Sequence, residues 1–444
     1  MSDPADHFSP VDVAVVGAGA AGLATAIFAR RAAPTRGVLL LEGARRPGAK
    51  ILVSGGSRCN VTNVRVDERD FWGGPSTIVR RVLRAFRVED TVAFFREIGV
   101  QLHEEADGKL FPDTNRSRDV LEALLKEVDR VGVMLVAGQR VLDVTRAENL
   151  FRITTTGGVH YARAVVLATG GQSLPKTGSD GFGFALARHL GHTIVPPTPG
   201  LVPLLLSPQQ SENLENLANP ENPGNLENPG NLENLGNLGV SGVSHDVELT
   251  IWVDGRAATR LNGPLLWTHF GVSGPVAMNA SRHWLRGQFE GRSVAITINF
   301  RAGAPFDAVD AEWTALALDR PKASLQHALS ATVPASVAAA LVAALRLDGG
   351  RELAHLARDD RRRLVHALVK WPLPVSGTRG YNYAEVTAGG VALTEVNPAT
   401  MESRVCPGLY LVGEILDVDG RIGGFNFQWA WASGLVAGRA LSGH

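Results

Sequence analysis

Val11-Asp-Val-Ala-Val-Val-Gly17-Ala-Gly19-Ala-Ala-Gly22 decides the fold, with Gly37-Val-Leu-Leu-Leu-Glu42 following about twenty residues later. The pair reads as an apolar strand, a glycine turn, a helix start and a second apolar strand ending in a carboxylate. This is the dinucleotide-binding fingerprint in its full context. Gly17 lets the chain turn sharply off the strand. Gly19 has no Cβ, so backbone and pyrophosphate can approach closely, and Gly22 lets the helix lie tight against the sheet. The N–H groups around Ala20, Ala21 and Gly22 then point at the pyrophosphate, aided by the helix dipole. Glu42 is placed to accept from ribose hydroxyls. A carboxylate there repels a 2′-phosphate, which favours FAD or NAD over NADP. Asp12 is the only charge between Val11 and Ala29, so a signal peptide or membrane span competes. The dense glycines and the lack of a basic leader argue against both.

A chain of 444 residues exceeds one compact core, so two or three domains are expected. Lys+Arg and Asp+Glu balance at 44 each, which gives no global electrostatic case for nucleic acid or an anionic membrane. Two distant cysteines, Cys59 and Cys406, imply a reduced, cytoplasmic setting without a disulfide framework.

Beyond the opening βαβ unit, residues 76–99 and 119–131 have helical periodicity. From Gly132 to Val166 the pattern changes to short β runs forming a meander. Ala164-Val-Val-Leu-Ala168-Thr169-Gly170-Gly171 is a further buried strand ending in glycines. Pro196-Pro-Thr-Pro-Gly200 marks an exit from the first domain. Strand-like segments at 247–253, 265–270 and 294–300 follow, then a helical stretch over 306–370 with one helix running from Pro334 to Asp348-Gly-Gly. Residues 408–413 form a last strand and 425–441 a last helix. Residues 213–239 repeat a six-residue unit with four glutamates and no base, which reads as a surface insertion dispensable for chemistry.

Two segments favour FAD, a longer ligand than NAD. One is Ala168-Thr169-Gly170. The other is Gly413-Glu414, with Gly423-Gly424-Phe-Asn426-Phe427-Gln428 opening the last helix. Together they close one sheet from both ends of the chain. Glu414 is placed for a ribityl hydroxyl, and the backbone N–H groups from Asn426 to Gln428 for the flavin O2 and N1 region.

The segments Lys50-Ile-Leu-Val-Ser54-Gly-Gly-Ser-Arg-Cys-Asn60-Val-Thr-Asn63, Leu266-Trp-Thr-His-Phe-Gly-Val-Ser-Gly-Pro275, Val386-Thr-Ala-Gly-Gly-Val391 and Gly413-Glu-Ile-Leu-Asp-Val-Asp-Gly420 carry a resemblance. The chain resembles the BaiN-type NAD(P)/FAD-dependent oxidoreductases, often labelled the aminoacetone oxidase family. The resemblance spans nearly the whole chain except residues 208–243. It implies noncovalent FAD in an α/β, Rossmann-like domain (a parallel sheet plus β-meander), a β-barrel-like insertion and a small helical domain. These correspond to residues 1–197 with 373–444, 198–305 and 306–372. Carried over by position, it implies an adenine contact near Val141 and flavin contacts at Lys50, Asn60, Glu414, Asn426 and Phe427; Ser54 and Gly424 are further expected cofactor-binding residues. Ser57 stands where the family usually has a third glycine, and Arg421-Ile422 replaces a short polar pair.

No catalytic acid or base stands out. Cys59 lacks a partner cysteine nearby, which excludes a dithiol mechanism. His269 reads as a structural histidine within a strand, and Trp429 and Trp431 as packing. Tyr381 and Tyr383 read equally as cleft lining or packing. No metal-ligand spacing is present. The expected function is hydride transfer between flavin N5 and a small organic substrate or NAD(P)H, the latter as a visiting donor. An FAD-dependent tRNA-modifying protein is one alternative, which the neutral charge weakens. Structural FAD with the acidic repeat recruiting a partner is another.

Overall fold

The structure is a computed structural model, and it describes residues 10–207 and 239–443. Apart from Gly239, the acidic repeat lies outside these residues. The chain forms two compact units, Met1–Gly200 with Ala384–His444, and Leu201–Tyr383. The β-rich and helical segments of the insertion, expected as separate domains, share one hydrophobic core in the second unit.

In the first unit Val11–Val16 lies at the centre of a seven-stranded sheet. Its neighbours, Val38–Glu42 and Gly158–Leu167, both run parallel to it, with Val13 opposite Val38 and Ala164. Met134–Ala137 extends one side in parallel. Leu409–Leu411, from the far end of the chain, joins Gly158–Leu167 in parallel. Leu150–Thr155 and Val141–Ala147 complete an antiparallel meander. The central strands are apolar at successive positions because both of their faces are buried.

The first helix, Ala20–Ala32, packs against the last, Phe425–Ala440. Gly434 and Gly438 make the approach possible. A Cβ on Gly434 would meet Ala21 O and Ala24 Cβ at 2.9 Å, and one on Gly438 would meet Ala29 N at 2.8 Å. Small residues one helical turn apart let the two backbones touch. The helical stretch over 76–99 resolves into Ser76–Ala85 and Val88–Glu97, broken where Phe86 turns extended.

The second unit holds a seven-stranded antiparallel sheet. Its two edge strands, Trp371–Leu373 and Val375–Thr378, are separated in sequence by Pro374 alone. One residue spans only about 3.5 Å, so the sheet curls until its edges meet, which is the expected barrel-like shape. Two local readings differ. Gly274–Phe289 is a helix the sequence reading did not identify, because its buried face is Val276, Ala277, Ala280, Ser281 and Trp284, mostly small residues with a weak apolar signal. The helix after Pro334 ends at Ala344, not at Gly349, because Arg346 takes a φ of 54°.

Among the described residues no helix is long and apolar enough to cross a membrane.

Candidate functional site

The three fingerprint glycines do different work. Gly17 has a φ of 103°, and a Cβ there would lie 2.5 Å from Ala168 O. A Cβ on Gly22 would lie 1.8 Å from Gly17 O. Both are demanded by the protein's own packing. Gly19 differs: its φ is −81° and no atom lies within 4 Å of a Cβ built there. It faces open space at the helix N-terminus. The first backbone bond of that helix is Leu23 N–H to Gly19 O at 2.9 Å, so the N–H groups of Ala20, Ala21 and Gly22 precede the ladder. No acidic side chain occupies the first turn. A cradle with free donors and no Cβ fits a pyrophosphate.

Glu42 already has two backbone donors, Ala18 N–H to Oε2 and Ala44 N–H to Oε1, each at 2.8 Å. It fixes the glycine turn and keeps acceptor capacity for a ribose, since a carboxylate has about four lone-pair sites. Val141 begins a strand just past the Gly138–Gln139 turn, whose N–H groups donate to Ala44 O and Glu42 O at 3.0 Å. It therefore stands beside the Glu42 end of the cradle.

The helix Ala49–Ser57 breaks at Ser54, and Gly55, Gly56 and Ser57 all take positive φ. Ser57 at φ 67° occupies a conformation glycine adopts freely, which explains why the resembled family places glycine there. Ser54 Oγ donates to Ile51 O at 2.7 Å, so this residue caps the break. The loop brings Asn60 into the interior, where its Oδ1 has no partner. Thr169 Oγ1 and Ser179 Oγ are likewise buried and unpartnered. Gly170, at φ 73°, lies against Ser179, and a Cβ on it would sit 2.7 Å from Ser179 Oγ. Buried polar atoms normally have partners, so each of these three atoms has hydrogen-bonding capacity left for a polar ligand. Sequence reading included Asn60 and Thr169 but not Ser179.

The C-terminal turn carries the densest polar network. Lys50 Nζ donates to Glu414 Oε2 and to Ser173 Oγ, each at 2.5 Å. Ser173 Oγ stands 2.7 Å from Glu414 Oε1, and Thr387 N–H donates to the same oxygen at 2.9 Å. Thr387 Oγ1 accepts from Gln172 and Ser173 N–H at 2.7 and 3.0 Å. Both Glu414 oxygens are thus engaged by protein, with Lys50 as the charged partner, and three donors against about four lone-pair sites leave capacity for a further hydroxyl. Lys50 has a third N–H to offer. Ser173 and Thr387 were missed as site residues; the only signal was their place inside glycine-rich strand ends.

Gly413 has a φ of 73°, donates its N–H to Ser433 Oγ at 3.0 Å and approaches the first helix so closely that a Cβ would lie 2.7 Å from Ala21 Cβ. Gly424, at φ 93°, abuts Thr62 O, 2.4 Å from a built Cβ. Asn426 spends both ends of its side-chain amide on Gly420, accepting at 2.8 Å and donating at 2.9 Å. Phe427 is half-buried and stacks on Trp431 at 5.5 Å. Gln428 turns inward: Thr62 and Thr91 hydroxyls donate to Oε1, Nε2 donates to Phe86 O, and its N–H donates to Gly424 O. It is a strut between distant segments.

Other candidates take structural places. Cys59 is fully buried, and burial pushes its thiol up to about 12, so it carries no nucleophilic thiolate near neutral pH. Trp429 and Trp431 donate to Gly413 O and Val61 O from the core. His269, expected inside a strand, stands exposed at the turn after Arg256–Thr268. His192 joins Glu395 at 2.8 Å and Ser403 Oγ at 2.9 Å, a hydrolase-like geometry. Ser403 is buried and also accepts from Val405 and Cys406 N–H, so this trio ties loops together.

The HI0933-like protein Rossmann domain family matches residues 11–440. The 3-dehydro-bile acid delta(4,6)-reductase of Clostridium scindens is 31% identical over 97% of this chain and 98% of its own. The ribosomal RNA dihydrouridine synthase of Escherichia coli is 33% identical, again over 97% of this chain and 98% of its own. Among solved structures, the 3-ketosteroid-delta4-(5alpha)-dehydrogenase of Rhodococcus jostii RHA1 is 14% identical with a TM-score of 0.46, covering 99% of each chain. The chain belongs to the HI0933-like Rossmann family and is an FAD-dependent oxidoreductase.

Proposed function

We propose that the protein reduces a carbon–carbon double bond conjugated with a carbonyl, with NAD(P)H recharging the flavin. One observation carries this reading. Two relatives matching 97% of the chain bear names with unrelated substrates but one bond type. A 3-oxo steroid unsaturated at positions 4 and 6 is a conjugated dienone. Dihydrouridine is uridine saturated at a bond conjugated with its C4 carbonyl. Bound FAD supplies hydride chemistry at N5. The chain supplies the cradle at Gly19, the ribose acceptor Glu42, and the Lys50–Glu414–Thr387 clamp joining the two ends of the fold. Lys50 is the cation placed to offset charge that develops on reduction. The balance of 44 basic and 44 acidic residues supports a small-molecule substrate over RNA, which needs a basic face.

The test is anaerobic. The protein is reduced with NADH or NADPH, then mixed with a 3-oxo-4-ene steroid acid or with uridine-containing RNA. Return of the yellow flavin absorbance with the steroid supports the reading. Return with RNA alone moves the substrate class to nucleic acid. Reoxidation by oxygen but by neither acceptor overturns the reductase assignment.

A further inference from the structure

One carboxyl of the first unit stands at the Lys50–Glu414 clamp without a partner of its own. Glu385 directly precedes the strand Val386–Val391. Its backbone carbonyl lies 3.3 Å from Ser173 Oγ, the hydroxyl that accepts from Lys50 Nζ at 2.5 Å and stands 2.7 Å from Glu414 Oε1. Two residues on, Thr387 N–H donates to Glu414 Oε1 at 2.9 Å. Lys50, Ser173, Glu385, Thr387 and Glu414 all belong to the first unit.

The two carboxyls of this cluster differ in company. Glu414 has Lys50, Ser173 and the Thr387 N–H on its oxygens. Among the described residues no hydrogen bond or ion pair engages the Glu385 carboxyl. The Glu385 side chain is exposed, yet the surrounding protein desolvates it enough to hold its carboxyl above the usual carboxylate range, against the pull of Lys50. Solvent contact together with desolvation describes a group on the wall of a recess, which water reaches without surrounding it. Lys50 is one cation beside two carboxyls. With its ammonium on Glu414, a charge on Glu385 would add a second negative charge to the cluster, and a proton there removes the repulsion. A site that treats two neighbouring carboxyls so differently gives charge to the partnered one and a proton to the other.

We propose that Glu385 is the proton donor of the site. The proposal rests on the enone-reductase reading. Saturating a carbon–carbon double bond conjugated with a carbonyl takes a hydride on the far carbon and a proton on the carbon beside the carbonyl. The hydride brings both electrons from the cofactor, which NAD(P)H recharges. The proton comes from the Glu385 O–H: that bond breaks, a C–H bond forms, and Glu385 is left as a carboxylate. Its exposed side lets water restore the proton.

The experiment compares the FAD-loaded full chain with Glu385→Gln, which keeps the size and loses the acid. Flavin retention is measured first. The two half-reactions are then followed separately by anaerobic rapid mixing. In one, NADH or NADPH bleaches the flavin and no substrate carbon is protonated. In the other, the reduced protein meets a 3-oxo-4-ene steroid acid or uridine-containing RNA. The infrared band of protonated carboxyls is also followed as pH is raised, which needs no turnover. Glu385→Gln should retain flavin, bleach as the unaltered chain does, and slow the second half-reaction by about 100-fold or more. One infrared component should outlast those of the other carboxyls as pH rises and be missing from Glu385→Gln. An unslowed second half-reaction, equal slowing of both halves, loss of flavin from the variant, or an infrared band that the variant leaves unchanged would overturn the proton donor. Failure of the unaltered protein to pass hydride to either acceptor would remove the reductase reading. A band that depends on Glu385 would then still assign it the proton, for another acceptor, and the lack of one would overturn both.

Discussion

Lys50 and Glu414 lie 364 positions apart in sequence, and the Lys50 ammonium donates to the Glu414 carboxylate at 2.5 Å. The pair ties the start of the helix Ala49–Ser57 to the turn after Leu409–Leu411. The two side chains are 26% and 19% exposed, so the pair is neither a free surface bridge nor a fully dry one. Ser173 and Thr387 complete its hydrogen bonds, which is what such a pair needs to stabilise a fold.

Lys50→Met should leave Glu414 half-buried without its cation. A loss of about 1–3 kcal/mol is expected, between the surface and buried cases. Thermal unfolding with and without added FAD measures it. An unaltered melting temperature and full flavin retention would show that the clamp does not hold the cofactor region together.

Gly19 and Gly22 should respond oppositely to alanine. Gly19→Ala meets no protein atom within 4 Å, so the apoprotein should keep its stability while FAD affinity falls about tenfold or more. Gly22→Ala puts a Cβ at 1.8 Å from Gly17 O, so the apoprotein itself should lose about 2 kcal/mol or more. Apoprotein melting and flavin titration separate the two effects. Normal flavin affinity in Gly19→Ala would move the pyrophosphate away from this turn.

Cys59 makes a prediction about alkaline stability. Its folded thiol is raised from 9.0 to about 12 by burial. The stability this group contributes is fully present below 9.0 and is lost as pH rises toward about 12, because the unfolded chain gives up the proton first. The slope is about 1.4 kcal/mol per pH unit across that window. Urea unfolding at a series of alkaline pH values should show a shallower decline for Cys59→Ala than for the unaltered chain. Identical slopes would mean the thiol titrates normally in the folded state.

Ser57→Gly should raise stability by about 0.5–1 kcal/mol, because the exposed Ser57 holds a left-handed φ of 67° that glycine adopts without strain. A lowered melting temperature would show that the hydroxyl has a compensating role.

Much of this molecule is legible in its sequence. The strand–glycine–helix run at 11–22 and Glu42 need no partner from elsewhere to be read, because strand, turn and helix periodicities are local. The pairing of the chain's two ends was also legible, since each end carries a strand, a glycine turn and a helix. Individual side chains were less so. Asn426 and Gln428 have the right residue types at the start of the right helix, yet their amides are spent on Gly420 and on Thr62, Thr91 and Phe86. Which acceptor a polar group finds depends on segments hundreds of residues away.

The sequence by itself therefore determined the dinucleotide fold, its cofactor class and the glycines that make the cradle, because these follow from backbone conformation and short-range pattern. Tertiary structure alone decided that Glu414 belongs to Lys50 and that Ser173 and Thr387 join them. Hydrogen bonds and ring contacts act only over a few ångströms, so no spacing along the chain reveals which groups will come within that reach.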